Sequence, residues 1–475
     1  MNPANNSERS WMPLAVSVFA AWIIAALLSD FVLYADGAHE FIKVLEKQDF
    51  MSLWWSQHFA YWTYEIPLVL AIKLGVTDLS WLRFAYGVGC LLPWPLALTI
   101  CWRISPKNFW LAAAGCAAGY LNGAYMPVGQ HCVTHAMFWP ALFVLLFAQP
   151  IKFGSALVLL AMATGLQFGY ESQTFFSMPL FGLALWRAYQ EKLASRQVAW
   201  VYFLVIAVLF FSSVLNGVFS LLMPEAPANL QGFKKGTLAM LTNPGWTVGL
   251  TMLLGLLAVL ACASEKIWRA MTSLGGFGFT VIGILIWGSW PVLASNQLDT
   301  GVQYDHRSMN LFVPMALLPL GWILAFRSDW LTPYVTRLKS LVAVLLLAQS
   351  LWHFSCACLW YSDTVSMRQI LTTKQGIYPV HGTLMAAHGM LGRDLRADAI
   401  GGRFDWSWPC LSIALSPKHD VGCLICSELF LDPVMRQRCW QPFDPFQPAT
   451  LPKLERYGIN YSNYTAKLQQ QLTPN

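Results

Sequence analysis

The chain has 475 residues, of which 56% are hydrophobic and only 11% are charged, and its net charge is +6. Ordinary soluble domains carry about 25% charged residues, so this composition and the mean hydropathy of +0.48 exclude such a domain. The basic residues are spread over loops, which indicates no nucleic-acid partner. We therefore expect an integral, multi-pass membrane protein.

Apolar runs occupy most of the first 360 residues. They predict an all-α polytopic domain over residues 1–360 with about 11 transmembrane helices, at residues 13–33, 81–102, 109–126, 136–149, 155–170, 175–187, 198–221, 246–263, 272–294, 309–326 and 340–360. Several runs are shorter than the roughly 20 residues that a perpendicular span needs. We expect these runs to extend into their flanks, or to break inside the protein where lipid does not reach them.

The charges of the loops predict the orientation. Short loops on one side of the predicted spans hold most of the lysine and arginine, and acidic residues are enriched on the other side. The positive-inside rule then places the N-terminus in the cytoplasm, and the first loop (residues 34–80) and residues 361–475 outside. Segment 64–76 in this loop is apolar but too short to span, so we expect an interfacial or re-entrant helix.

Residues 361–475 are richer in charged residues and proline than the rest of the chain. We expect a small mixed α/β extracytoplasmic domain, with SWPCLSIAL (407–415) as a candidate strand and WQPFDPFQPATLP as a loop. Four cysteines in this region predict one or two disulfides, with three pairings open and a zinc site as the lesser alternative. They are Cys410, Cys423, Cys426 and Cys439.

The most informative polar residues follow the first apolar run. Asp36, His39 and Glu40 lie at the start of the first external loop, at spacings that place them on one face of a helix. Carboxylates at the mouth of a membrane helix usually face a water-filled cavity. We interpret Asp36 as a general base and Glu40 as the second acid, with solvated loop charges as the alternative. Asp30, nearer the apolar run, is interpreted as a helix-end residue.

Two later external loops contribute further candidates. His131 and His135 are four residues apart, a spacing at which two imidazoles can share a metal, although polar or interfacial histidines are the preferred interpretation. Glu171 lies between two apolar runs and must face a cavity or a partner if it lies at membrane depth. A solvated loop is the alternative for Glu171, because Gly169 and Ser172 flank it.

Several basic residues lie in the predicted external loops, which hold fewer basic residues than the loops on the other side. Lys234 and Lys235 lie in the fourth external loop, and His306 and Arg307 lie in the fifth. A phosphate group needs such donors, and arginine can bind it through two parallel hydrogen bonds. Contact with lipid headgroups is the alternative role. No Gly-rich nucleotide loop occurs, so an outward-facing transferase needs a lipid-carried donor.

The first external loop resembles that of the GT-C superfamily of membrane glycosyltransferases. YADGAHEF is similar to the acidic motif of that family, and YEIPLVLAIKLGVTDLSWLRF is similar to the segment that leads into its second long span. The matching positions are Asp36, Pro67, Leu68, Gly75 and Arg83. The likeness covers the N-terminal third by motif and the remainder by architecture. The family pairs two acids in its motif, whereas Gly37 follows Asp36 here.

The resemblance implies transfer of a sugar from a polyprenyl-phosphate donor to a hydroxyl of a glycan, lipid or protein on the extracytoplasmic face. Asp36 would accept the hydroxyl proton, and one displacement would invert the anomeric carbon. No organic cofactor is expected, a divalent metal is left open, and we place the protein in a bacterial inner membrane. The residues expected to bind substrate are His39, Arg83, Glu171, Lys234, Lys235, His306 and Arg307.

Two other classes of function are alternatives. A lipid-linked oligosaccharide flippase or other transporter needs polar residues within the spans near the midplane, and usually an internal repeat. An O-antigen polymerase or ligase also uses external basic loops, and His306 and Arg307 would then be its leading residues. The spans are poor in charge and the polar residues gather on one side, which favours the transferase.

Overall fold

The computed structural model describes residues 11–34, 36–51, 58–121, 129–169, 173–222, 302–380, 407–416, 420–427 and 443–472. These ranges are mostly helical. The helices are α1 (Met12–Leu28), α2 (Asp36–Lys47), α3 (His58–Lys73), α4 (Leu79–Leu91), α5 (Pro93–Ile104), α6 (Phe109–Gly115), α7 (Gln130–Phe147), α8 (Phe153–Gly165), α9 (Gln173–Leu193), α10 (Gln197–Leu222), α11 (Val302–Phe326), α12 (Ser328–Leu331), α13 (Val335–Thr373), α14 (Trp408–Leu415) and α15 (Ser462–Leu472). The strands are β1 (Gly376–Val380) and β2 (Cys423–Ser427).

Two of the described helices are long and apolar enough to cross a membrane. They are α10, over Gln197–Ser220, and α13. Helices α4 and α5 meet at 42° and together make a third candidate span, broken just before Pro93, which has no N–H for the helical ladder. The described part of the chain is therefore compatible with a helical membrane protein.

The helix predictions are confirmed wherever the structure describes the predicted runs, with changed boundaries. The run at 109–126 starts as α6 and passes into a π-helical turn at Cys116–Tyr120. Helix α11 begins at Val302 rather than at residue 309, because residues 302–312 contain no glycine or proline to stop it. The predicted fifth loop is therefore partly helix. The runs at 246–263 and 272–294 lie outside the described residues.

The predicted first external loop (residues 34–80) contains α2 and α3. Helix α3 covers most of segment 64–76, so the prediction of a helix there is confirmed. Gly75 ends α3 with a φ of +86°, a conformation that favours glycine. Its N–H donates to the Ile72 carbonyl and the Val76 N–H donates to the Ala71 carbonyl, each at 3.0 Å, which satisfies the last carbonyls of the helix.

Helix α13 continues through residue 360, the predicted domain boundary, and ends at Thr373. After it, β1 pairs in parallel with β2, with Gly376 opposite Cys423. Helix α14 lies against this sheet, and the Ile425 N–H donates to the Ser412 hydroxyl at 2.9 Å. The described part of residues 361–475 thus combines helix and strand.

The prediction of a strand over SWPCLSIAL is wrong. These residues form α14, with Pro409 in the first turn, where its missing N–H would have no helical partner. Every residue of α14 is buried. The segment therefore has no polar face, and a short run of this kind carries no period that separates a helix from a buried strand.

The predicted disulfides are wrong for three of the four cysteines. Cys410, Cys423 and Cys426 are buried and form no disulfide, and Cys439 lies outside the described residues. Cys423 and Cys426 both belong to β2, where a rise of about 3.3 Å per residue places their Cα atoms about 10 Å apart. A disulfide needs Cα atoms within about 7 Å.

Residues 443–472 pack on α2 and α3, the helices of the predicted first loop. The Tyr457 hydroxyl donates to the Leu45 carbonyl of α2 at 3.2 Å, and Arg456 donates to the Ile72 carbonyl of α3 at 3.1 Å. Helix α14 contacts α2 as well. The loop and the C-terminal region therefore form one packed layer at the C-terminal end of α1.

Candidate active site

Asp36 is the first residue of α2, and a single 3-10 turn (Phe31–Leu33) lies between the end of α1 and the start of α2. Its side chain is partly exposed, whereas nearly all of the following two turns is buried. A negative charge in the first turn is favourable because backbone N–H groups there have no helical partner. Burial, and then the Asp36 charge, raise the pKa of the Tyr34 phenol. Asp36 thus combines solvent access with a fixed position.

Gly37 explains why this chain lacks a second acid beside Asp36. A Cβ atom at this position would lie 1.8 Å from the carbonyl oxygen of Val32. Such an overlap forces the backbone to shift, so α2 can start this close to the 3-10 turn only with glycine. The departure from the paired acid motif is therefore a steric requirement of this fold.

Glu40 lies one helical turn after Asp36 and is buried at 3% exposure. Its Oε2 atom accepts the Tyr64 hydroxyl of α3 at 2.8 Å and the Tyr86 hydroxyl of α4 at 2.9 Å. Hydrogen bonds from two phenols favour the charged form of a buried carboxyl. The Glu40 side chain thus joins three helices beneath Asp36.

Glu65 is a second buried carboxyl, which the sequence reasoning did not select. It has no exposed surface, and its Oε2 atom accepts the Met51 N–H at 2.8 Å. Burial and then the Glu40 charge raise the pKa of Glu65 to about 9, so Glu65 is neutral at pH 7. The available signal was an acid beside a short apolar segment, which must be paired or neutral when buried.

His39 is 4% exposed, next to Glu40 on α2. Burial, and then the Lys43 charge, lower the pKa of His39 to about 4. A neutral imidazole can donate through one nitrogen and accept through the other. The His39 side chain is therefore a neutral polar group, and no cation, at pH 7.

The Arg83 guanidinium binds a carboxylate and a backbone carbonyl of the protein. Its Nε lies 3.1 Å from Asp30 Oδ1, and its Nη1 donates to the Ala414 carbonyl at 2.7 Å. Arg368 of α13 reaches the other oxygen of Asp30 at 2.7 Å. Arg83 precedes Tyr86 by one turn of α4, so this ion-pair cluster adjoins the Glu40 hydrogen bonds. Asp30 does lie beyond the end of α1, but its side chain also links α4 and α13.

The two predicted metal candidates on α7 lie among other side chains. The His135 ring lies 4.9 Å from the Trp94 ring and 5.8 Å from the Phe176 ring, centroid to centroid. His131 lies beside Cys132, with 3.4 Å between Nε2 and Sγ. Within the described ranges, no group of three or more His, Cys, Asp or Glu side chains could hold a metal ion. Aromatic packing is the role that the contacts of His135 support.

Several predicted residues lie where the structure gives no side-chain contacts. Glu171, Lys234 and Lys235 are outside the described residues. His306 and Arg307 belong to α11, of which only the backbone is described at this end. The structure therefore brings together Asp36, His39 and Glu40 with Glu65, while the proposed phosphate-binding cations are not part of this described cluster.

Comparison with known proteins found no matching family model, no matching curated protein and no matching solved structure.

Proposed function

We propose that the chain is an integral membrane glycosyltransferase that moves a sugar from a polyprenyl-phosphate donor to a hydroxyl of a glycan, lipid or protein. One observation carries the proposal. The partly exposed Asp36 carboxylate stands at the start of a buried helix, directly after the first apolar helix and above the buried Glu40. A base that serves a lipid-borne donor must meet both water and the membrane surface.

The proposed reaction is a single displacement. The acceptor oxygen bonds to the anomeric carbon as its proton passes to the Asp36 carboxylate. The bond from that carbon to the phosphate oxygen breaks, and its electron pair stays on the phosphate. Attack from the opposite face inverts the anomeric carbon. Asp36 then returns its proton to solvent.

The leaving phosphate gains charge and needs cations placed to stabilise it. We assign this role to Lys234, Lys235 and Arg307, with Glu171 and His306 as further substrate contacts. His39 offers a neutral polar contact. Arg83 already binds Asp30 and the Ala414 carbonyl, so its role in this proposal is to order the site. No organic cofactor takes part.

The proposal includes a topology. The N-terminus is cytoplasmic, about 11 helices cross a bacterial inner membrane, and residues 34–80 and 361–475 face outward. Support comes from the loop charges, and from the packing of Tyr457 and Arg456 against α2 and α3, which requires the two outward regions to lie on one side.

Mass spectrometry of envelope glycans tests the proposal. A deletion strain first identifies the altered glycan, and protein purified into nanodiscs is then given polyprenyl-phosphate sugars and that acceptor. Asp36→Asn should lower the transfer rate by about 10²–10⁴-fold without changing the thermal midpoint. Asp49→Asn is the matched control, because Asp49 is an exposed acid of the same loop. Normal transfer by the Asp36 variant would remove the assigned base, and an unaltered glycan profile would refute the transferase.

A lipid-linked oligosaccharide transporter is the second candidate, and one observation favours it. Gln349 and Ser350 are fully buried in the apolar part of α13, yet the amide atoms of Gln349 and the hydroxyl of Ser350 form no hydrogen bond with any described residue. Polar groups buried within a span are costly and mark transport pathways. A flipping assay in proteoliposomes separates the two functions: transport lost in Gln349→Leu, with no transfer activity in the wild type, supports the transporter.

A further inference from the structure

We propose that Glu40 and Glu65 form a buried carboxyl pair that carries one proton, which resides on Glu65, and that neutral Glu65 is a positioning residue for Asp36. The existence of the pair stands apart from the proposed function. Only its role in catalysis rests on that function.

The hydrogen bonds show which carboxyl carries the charge. Glu40 Oε2 accepts two phenol hydroxyls, from Tyr64 and Tyr86, at 2.8 and 2.9 Å. Among the described residues, Glu65 Oε2 accepts one backbone N–H, from Met51, and its buried Oε1 has no hydrogen-bond partner. A buried carboxylate is stabilised in its charged form by the donors that it accepts from. Glu40 has two phenol donors and Glu65 has one backbone donor, so the proton belongs on Glu65.

The charges around Glu65 support the same assignment. The charges of Glu40 and Asp49 raise the pKa of Glu65, while the Lys47 charge and the hydrogen bond from the Met51 N–H lower it. Burial has the largest effect and acts in the same direction as Glu40 and Asp49, so the pKa of Glu65 rises to about 9. Other titratable side chains on the elements packed around it include His39, Lys43 and Glu46 of α2, Tyr61 and Tyr64 of α3, Tyr86 and Cys90 of α4, and His131, Cys132 and His135 of α7.

The pair connects to Asp36 through α2. Tyr64 and Tyr86 fix Glu40 between α3 and α4, and Asp36 lies one turn before Glu40 on the same helix. Ionising Glu65 would place two negative charges in a buried space, and their repulsion would move α2 away from α3. The Asp36 carboxylate would move with α2. The proton on Glu65 thus keeps the base in position.

Infrared difference spectroscopy tests the pair without any substrate. Wild-type protein in nanodiscs should show a protonated carboxyl band at pH 7 that is lost as the pH passes about 9. Glu65→Gln should lack this band. Glu46→Gln should keep it, because Glu46 pairs with Lys43 in a partly exposed position. A wild-type spectrum without the band, or a band that is lost in Glu40→Gln and kept in Glu65→Gln, would overturn the assignment.

The pH dependence of transfer tests the positioning role. Wild-type kcat should fall above about pH 9. Glu65→Ala should lower kcat at pH 7 about tenfold, and Glu65→Gln should recover most of this loss and remove the alkaline fall, because the amide stays neutral. An alkaline fall that persists in Glu65→Gln would contradict the role. Absence of transfer in the wild type would reject the proposed function, while the infrared band still decides the pair.

Discussion

Asp30 and Arg83 form an ion pair across 53 residues of chain, with Arg83 Nε 3.1 Å from Asp30 Oδ1. Arg368 completes the arrangement at 2.7 Å from Oδ2, and Trp360 donates to the Asp30 carbonyl at 3.1 Å. One aspartate thus joins the end of α1 to α4 and α13, and Arg83 extends the connection to α14 through the Ala414 carbonyl.

Asp30→Asn should lower the free energy of unfolding by about 2–4 kcal/mol, because it leaves the largely buried Arg83 and the partly exposed Arg368 without their counter-charge. Chemical denaturation in detergent measures this loss. Lys73→Gln is the control: it breaks the 3.8 Å pair with Asp49, in which both side chains are more than half exposed, and should cost less than about 1 kcal/mol. Equal effects of the two substitutions would show that the Asp30 cluster contributes no more than a surface pair.

Gly37→Ala should destabilise the protein by about 2 kcal/mol or more, since the added Cβ meets the Val32 carbonyl oxygen. The thermal midpoint of the purified protein measures the change. Gly182→Ala is a matched control inside α9, where a Cβ meets nothing within 4 Å, and it should be neutral or stabilising. If Gly37→Asp folds as well as the wild type, the steric account of the missing second acid fails.

Tyr64→Phe and Tyr86→Phe should each cost about 1.5–3 kcal/mol, because each removes a hydrogen bond to the buried Glu40 carboxylate. Removing both should cost more than the sum, since Glu40 then loses both phenol donors. A double-mutant cycle measures this coupling, with the exposed Tyr189→Phe as a reference. Additive effects would indicate that the two phenols act independently.

The stability of the protein should fall in acid through His39. The pKa of His39 is about 4 in the folded chain and 6.5 ordinarily, so its contribution is fully present above pH 6.5. As the pH falls towards 4, the unfolded chain binds a proton that the folded chain does not, which removes up to about 1.4 kcal/mol per pH unit. Denaturation midpoints between pH 7 and pH 4 test this expectation. His39→Gln should flatten the acid side of the curve and His58→Gln should not.

The parts that could be predicted from the sequence depend on local properties. Long apolar runs predict helices because a run is a property of residues that are neighbours in the sequence. The spacing of Asp36 and Glu40 likewise indicated that both lie on one face of a helix, which is α2. The strand prediction for SWPCLSIAL was wrong because every residue of α14 is buried, so its apolar residues show no helical or strand periodicity.

The parts of the site that were missed depend on packing. Tyr64 and Tyr86 lie 24 and 46 residues from Glu40, and only the meeting of α2, α3 and α4 brings them to its Oε2 atom. Glu65 becomes neutral for the same reason. No spacing rule along the chain indicates that these residues share a site.

The continuity of α13 sets the reach of the C-terminal region. Arg368 is anchored to Asp30, and only five further residues of helix, about 8 Å, separate it from Thr373, after which β1 soon begins. The sheet cannot move away from the end of α1 unless these last turns of α13 unwind. The sheet is therefore held at a fixed distance from the end of α1, as a rigid extension of α13.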